Sequence, residues 1–313
     1  MKQIIFDRYS RVQLETINKK ARKPLKFIKE CEENYQFQLE MVADKICNTD
    51  KNYSIILLSG PSASGKTTTA NKLSKTFLKR GINAPVVSLD DFFLGIEHYD
   101  KLPDGTVDME SINTLDLAHI QNCLKTLLDT GKCDFPVFDF TTSSRSDAVN
   151  TIELRKHDIL LIEGIHALNP ILTEGLPSDR LLKVYVSVRT KFLDGIDSIF
   201  EPKTIRLMRR MIRDSRERNH PPESTLLMWN NIVDGEIKYI NPFRDEADIK
   251  IDTTLDYEPC IFHNYLYPLL DKIPQDSENM QELIKMYYAL ENFEDIDEDL
   301  LPINSLLREF VGE

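Results

Sequence analysis

Gly60-Pro61-Ser62-Ala63-Ser64-Gly65-Lys66-Thr67 fits the spacing G-x-x-x-x-G-K-[ST], and that spacing has a chemical use. Two glycines let the backbone curl until successive N–H groups converge on an anion. The positive end of a following helix adds to that field. Lys66 supplies a point charge that can reach the β- and γ-phosphates of a nucleotide, and the Thr67 hydroxyl can hold Mg²⁺. Gly60, Ser62, Ala63, Ser64, Gly65, Lys66, Thr67 and Thr68 form the candidate phosphate cradle. A chance glycine-rich turn is the plain alternative, and the flanks argue against it. Ser54 to Leu58 is an apolar run of strand length. After the loop, Ala70, Leu73, Phe77 and Leu78 are spaced for one helical face.

Other chemistry-bearing residues stand at the ends of apolar runs. Asp90 and Asp91 close the run 85–89, a place where open α/β sheets bind ligands; capping a helix is the other role open to them. Glu163 closes the run 158–163. Beside a phosphate loop such a carboxylate serves Mg²⁺ directly or through water, or else it is a solvated strand end. Arg206, Arg209, Arg210 and Arg213 recur at i, i+3, i+4 and i+7, one stripe of a helix. Asp214 and Glu217 could neutralise them as a solvated face. Beside a phosphate loop, the stripe reads as a closing lid that neutralises moving phosphate charge.

The totals limit the function classes. The chain of 313 residues has a net charge of −12, which argues against general binding to DNA or RNA. Five cysteines (Cys31, Cys47, Cys123, Cys133, Cys260) form no C-x-x-C pair and fit free thiols in a reducing compartment. The N-terminus lacks the apolar run of a signal peptide, and no segment reaches membrane-spanning length. A cytoplasmic location without membrane contact is the expectation.

The elements that must position these residues can be read in order. Strands are expected at 54–58, 85–89, 158–163, 182–188 and 247–251, and helices at 115–128 and 261–270. A Pro103-Asp104-Gly105 turn precedes the first of these helices. Residues 133–140 read as extended and run into a polar loop, 141–145, which is either plain surface or a pocket lining. Residues 1–29 carry nine Lys or Arg and two acids. They read as a helix bearing Leu14, Ile17 and Ala21 that Pro24 interrupts, with a second helix over 31–47. That arm is a solvated face or a contact with an acidic partner. Residues 275–313 carry eleven acids and two bases and read as a helical appendage. The opposite charges suggest that the two termini pack together.

These residues together make the chain resemble the uridine kinase/phosphoribulokinase family of phosphate-loop kinases over about residues 53–272. The resemblance rests on Gly60–Thr68, Ser88–Phe93, Pro136–Phe140, Ile162–Ile165 and Arg209–Asp214. It is strongest toward the bacterial-type nucleoside (uridine) kinase subgroup, through Val107–Ser111, Gly235–Pro242 and Asn304–Phe310. That subgroup often carries a long synthetase-like N-terminal extension, whereas about 50 residues precede the kinase here. The resemblance implies an α/β, three-layer phosphate-loop fold with a five-stranded parallel sheet and a helical lid. The expected division is a helical N-terminal extension (1–50), a kinase domain (51–274) and an acidic helical C-terminal extension (275–313).

The implied activity is transfer of the γ-phosphoryl of ATP to the 5′-hydroxyl of a nucleoside, a pyrimidine in the first instance. Asp90 is implied as the base, near Mg²⁺, with Thr67 and Glu163 holding the metal. Lys66 and Arg213 would act on the transferring phosphoryl group, and Arg209, Arg210 and Arg218 would contact ATP. Asp108 would bond sugar hydroxyls, with Phe138, Phe140, Ser143, Arg145 and Arg210 completing the acceptor pocket. Phe138 stands where uridine–cytidine kinases have tyrosine, and Ser143 where they have histidine, two side chains that help read the pyrimidine. The subgroup's Lys-Thr-Gly-Lys-Arg is Thr-Thr-Ser-Ser-Arg here, at 141–145. Rival readings are a kinase of another small hydroxylated metabolite (a sugar, polyol or sugar phosphate) and a nucleotide-dependent RNA-binding ATPase. Homo-oligomerisation is left open.

Overall fold

The computed structural model describes residues 4–5, 10–49, 51–102, 105–142, 144–218, 220–270 and 280–312. Pro103 and Asp104 of the expected turn, Ser143 and the start of the acidic tail lie outside the described residues. The chain opens with β1 (Ile4–Ile5), β2 (Arg11–Gln13), α1 (Leu14–Ala21) and α2 (Pro24–Cys47). The phosphate-loop unit follows as β3 (Ile55–Ser59), α3 (Lys66–Leu78) and β4 (Val86–Ser88). Next come α4 (Leu117–Thr130), β5 (Lys132–Asp139), β6 (Ser144–Glu153), β7 (Leu160–Glu163) and β8 (Leu181–Ser187). A hairpin, β9 (Lys191–Asp194) and β10 (Asp197–Phe200), leads to α5 (Pro202–Glu217), α6 (Pro222–Gly235) and α7 (Asn241–Arg244). The chain ends with β11 (Ile249–Asp252), α8 (Pro259–Leu270), α9 (Met280–Leu290) and α10 (Arg308–Val311).

The expected five strands form one parallel sheet in the order β11-β8-β3-β7-β4, and the two-residue β1 adds to the β11 edge. The sheet is buried on both faces, so its strands are apolar throughout rather than alternating. Ile56, Leu58, Leu161, Val184 and Val186 face a core that includes residues of α1, α2, α3, α5, α8 and α9. Ile55, Leu57, Leu160, Ile162 and Tyr185 face a second core built with α4 and Phe135 of β5. Three layers result, and every strand of the unit delivers its carboxyl end to the same rim. No described helix is long and apolar enough to cross a membrane, and the five cysteines are free.

Several local expectations differ from the structure for identifiable reasons. Pro24 starts α2 instead of only breaking α1, because a proline at the first helical position gives up an N–H that has no partner there. Leu78 is exposed, while Ala70, Leu73 and Phe77 are buried; one residue further on turns its side chain off the buried face. Residues 144–145 of the expected loop belong to β6, which pairs antiparallel with β5. Of β6 only Ile152 is buried, so the strand has no apolar alternation to announce it.

The acidic tail is not an appendage. Leu306, Leu307 and Phe310 are wholly buried and belong to the same core as the sheet. The termini do meet. Arg22 pairs with Glu294 at 3.2 Å, and Asn18 donates to Asn292 O at 2.8 Å and accepts from Glu294 N at 2.9 Å. Phe293 stacks on Phe200 with centroids 5.7 Å apart. Phe310→Ala should therefore lower stability by about 3–5 kcal/mol, read as a fall in the urea midpoint. A change within about 0.5 kcal/mol, typical of a surface position, would show the tail to be dispensable to the core.

Candidate active site

The loop between β3 and α3 has the geometry its glycines call for. A Cβ on Gly60 would lie 2.0 Å from the Val186 carbonyl oxygen, so only glycine fits that approach. Gly65 has φ 80° and caps α3 without a side-chain acceptor, which leaves first-turn N–H groups of α3 for an anion. Ala63 shares the left-handed conformation at φ 57°. Lys66 folds back to donate to Pro61 O at 3.0 Å. Burial pulls its pKa down, against Glu163, Asp90 and Glu309, which hold it up.

Three adjacent strand ends converge beside Lys66. Glu163 is in register with Leu58 of β3 and Ser88 of β4. Its Oε1 accepts from Thr67 Oγ1 at 3.2 Å and from Ser88 Oγ at 3.0 Å. Burial, with Asp90 adding to it, pushes the Glu163 carboxyl up to about 7. Asp90 follows in the turn Leu89–Phe92, whose cap is Ser88 and not either aspartate. Its side chain is exposed. Desolvation by the surrounding protein raises its pKa, with Asp91 adding to it, while Lys66, Arg218 and Arg213 pull it down. Thr67, Asp90 and Glu163 offer hard oxygen donors, and two of them are carboxylates. That set fits a Mg²⁺ that takes few protein ligands and completes its shell with phosphate and water. Asp91 serves the fold instead. Its Oδ1 accepts from Phe138 N at 3.2 Å, fixing the end of β5.

The arginine stripe divides. Arg210 donates from Nε to Asp214 at 3.0 Å and from Nη1 to Ser62 Oγ at 2.6 Å. Arg213 and Arg218 each lie 3.5 Å from Asp214 Oδ1, and both act on Asp90. Arg209 departs from the expected contact with ATP. It is fully enclosed, bound to Glu258 at 2.7 and 2.6 Å, to Thr253 O at 2.7 Å and to Ala63 O at 3.4 Å. Arg206 is also buried, bound to Glu236 at 2.6 Å and to Ser62 O at 3.2 Å. Both hold the loop from behind.

On the acceptor side, Asp108 is buried and accepts from the Tyr239 hydroxyl at 2.7 Å. Lys238 stands 3.8 Å from it. Glu110 joins the same field: burial pushes its carboxyl up to about 7, against Arg210 and Lys66 and with Asp90 and Asp108. His166 is buried with its ring edge-on to Tyr239, and burial holds it down at about 4. Phe138 packs edge-on against Phe93, with centroids 5.8 Å apart. Phe140 is exposed with its ring 5.1 Å from that of Phe138, and Arg145 is engaged by Asp116 at 2.8 Å. Ser143 lies outside the described residues. Glu110, Tyr239 and His166 were not singled out from the sequence. The first two fall inside the Val107–Ser111 and Gly235–Pro242 stretches, which drew notice only through the family resemblance. A cavity of about 580 Å³ touches the loop at Pro61 but includes none of Asp90, Asp108 or Glu163. Its Lys191, Arg206 and Lys250 are matched by Glu201, Glu236 and Asp245.

A nucleotide-phosphate loop, an acid at the neighbouring strand end and an arginine-bearing helix over both define a phosphate-loop kinase. Residues 55–257 match the sequence profile of the Phosphoribulokinase / Uridine kinase family, and the chain belongs to that family. It is an ATP-dependent kinase. Among curated relatives, a uridine kinase of Ureaplasma parvum is 24% identical over 202 residues, covering 64% of this chain and 88% of that protein. A uridine kinase of Staphylococcus haemolyticus is 28% identical over 204 residues, covering 64% and 87%. Among solved structures, a "Possible Uridine Kinase" from Bacillus stearothermophilus aligns with a TM-score of 0.48 and 19% identity, over 69% of this chain and 97% of that one.

Lys66→Ala should lower turnover by about two to three orders of magnitude, as loss of a preorganised charge at a transferring group does; wild-type rates would remove Lys66 from the chemistry. A second expectation concerns pH. A free Glu titrates near 4.5 and Glu110 at about 7. Between those values the folded chain keeps a proton that the unfolded chain has released, so this group makes stability fall as pH rises through the window. The loss is roughly 3 kcal/mol at most. Glu110→Gln should remove that contribution from a urea-midpoint profile over pH 4.5–7. An unchanged difference between pH 4.5 and 7 would count against a protonated Glu110.

Proposed function

We propose that the chain transfers the γ-phosphoryl of ATP to the 5′-hydroxyl of a nucleoside, with uridine or cytidine as the preferred acceptor. The observation that carries the reading is the place of Asp90 in the turn that follows Ser88, whose strand end lies in register with Glu163. Lys66, Glu163 and Glu110 share its electrostatic field. An acceptor hydroxyl brought to Asp90 meets a carboxylate whose raised pKa suits it to take the proton. Asp108, Glu110 and Tyr239 provide acceptors and a donor for vicinal sugar hydroxyls. Phe93 and Phe138 offer apolar faces for a base. Lys66, Arg213 and Arg218 neutralise charge as the phosphoryl group moves, and Arg210 steadies Ser62. Thr67, Glu163 and Asp90 would hold Mg²⁺, which would supply neutralisation of phosphate charge.

The acceptor is uncharged in this reading. Arg145 is already paired with Asp116, and the buried Asp108 carboxylate would repel a phosphorylated acceptor. The family also supports transfer to other alcohols, so the test spans them. Mg-ATP-dependent ADP release is measured across nucleosides, sugars, polyols and sugar phosphates, with Asp90→Asn as the blank. Uridine or cytidine should give the highest kcat/KM, and Asp90→Asn should lower kcat by about 10²–10⁴ while ADP still binds. A sugar phosphate as best acceptor would overturn the nucleoside assignment, and near-normal turnover in Asp90→Asn would overturn the base.

A further inference from the structure

The phosphate cradle holds an anion supplied by the chain itself. Glu309 Oε2 accepts from the backbone N–H of Thr68 at 3.1 Å. Thr68 is the third residue of α3, so its N–H is one of the first-turn donors without a helical partner. In a loop of this spacing, such donors cradle the α- and β-phosphates. Glu309 also acts on Lys66 and on Glu163, so its charge lies in the field that receives the nucleotide.

The segment that carries Glu309 is fixed. Leu306, Leu307, Phe310 and Val311 are buried, and Leu306 lies so close to Gly65 that a Cβ there would come within 2.9 Å of its Cδ1. Ser305 Oγ accepts from Leu307 N at 3.1 Å. Arg308 donates to Leu301 O at 3.0 Å and to Gly312 O at 3.1 Å. Phe310 lies under the Arg209 guanidinium, 4.9 Å from it. The backbone therefore stays in place, and the half-exposed Glu309 side chain is the part free to turn.

We infer that Glu309 sets nucleotide affinity: its carboxylate occupies a phosphate seat in the loop, and the incoming nucleotide must displace it from Thr68. One N–H cannot serve both anions, and the displaced carboxylate remains close enough to repel the phosphate that replaces it. The C-terminal segment is thus one wall of the nucleotide site, and its charge favours release of ADP. The inference rests on ATP using this loop and is independent of which acceptor is phosphorylated.

The test is calorimetric titration of MgADP, without acceptor, into the full chain and its Glu309→Gln and Glu309→Ala variants, with Lys66→Ala as the control for binding at the loop. Glu309→Gln keeps the size and an accepting oxygen at Thr68 and removes the charge. Both Glu309 variants should bind MgADP about tenfold more tightly, the scale of one partly screened like-charge contact. If Glu309 served only to cap α3, Glu309→Ala would lower the melting temperature of the nucleotide-free protein, and neither variant would tighten ADP binding. Unchanged or weaker affinity in Glu309→Gln, with Lys66→Ala still abolishing binding, overturns the inference and leaves the kinase assignment standing.

Discussion

The Arg209 guanidinium is the point at which four parts of the molecule are fastened. It reaches from α5 to Glu258 at the head of α8, to the Thr253 carbonyl after β11 and to the Ala63 carbonyl inside the phosphate loop, with the Phe310 ring against its face. It is also fully enclosed together with its partner carboxylate. A buried pair of this kind adds little net stability, but removing either partner strands a charge at a cost of about 3–5 kcal/mol. Its value is positional. The left-handed turn at Ala63 is held from behind by Arg209, and Ser64 O is held by the Thr253 hydroxyl at 2.7 Å. The cradle is therefore shaped before any phosphate arrives, which is what preorganised electrostatic catalysis requires.

The charges around the cradle are balanced against one another and not against water. Lys66 is pulled down by burial and held up by Glu163 and Asp90, while those two are pushed up. Asp214, wholly buried, gathers Arg210, Arg213 and Arg218 on one carboxylate. It holds together three like charges that would otherwise repel one another, two of which, Arg213 and Arg218, act on Asp90. Displaced pKa values concentrated in one region mark a functional site, and here they run from Lys66 of the loop through Glu163 and Asp90 to Glu110.

The sheet and the phosphate side of the site were legible in the sequence because each depends on local pattern. Strands buried on both faces read as unbroken apolar runs, and the loop is a fixed spacing followed by a helix. Glu163 and Asp90 were legible as acids ending such runs. What was not legible depends on tertiary choice. Nothing in a stripe of four arginines says that Arg209 will turn inward to Glu258, 49 residues later, while Arg213 stays at the cleft. β6 escaped notice because its pairing comes from backbone hydrogen bonds to β5, with a single buried side chain. The tail's acidic composition masked Leu306, Leu307 and Phe310, whose burial gives Glu309 its place.

The β5–β6 hairpin stands apart from this tightly coupled arrangement. It shares no ladder with the parallel sheet. Phe135 and Ile152 anchor it against α4, and Asp91 ties down Phe138 at the end that faces the cleft. Most of β6 is in water, where substitutions cost little stability. Inheritance can therefore rewrite this hairpin, residue by residue and even in length, while the loop, Arg209 and Asp90 stay as they are.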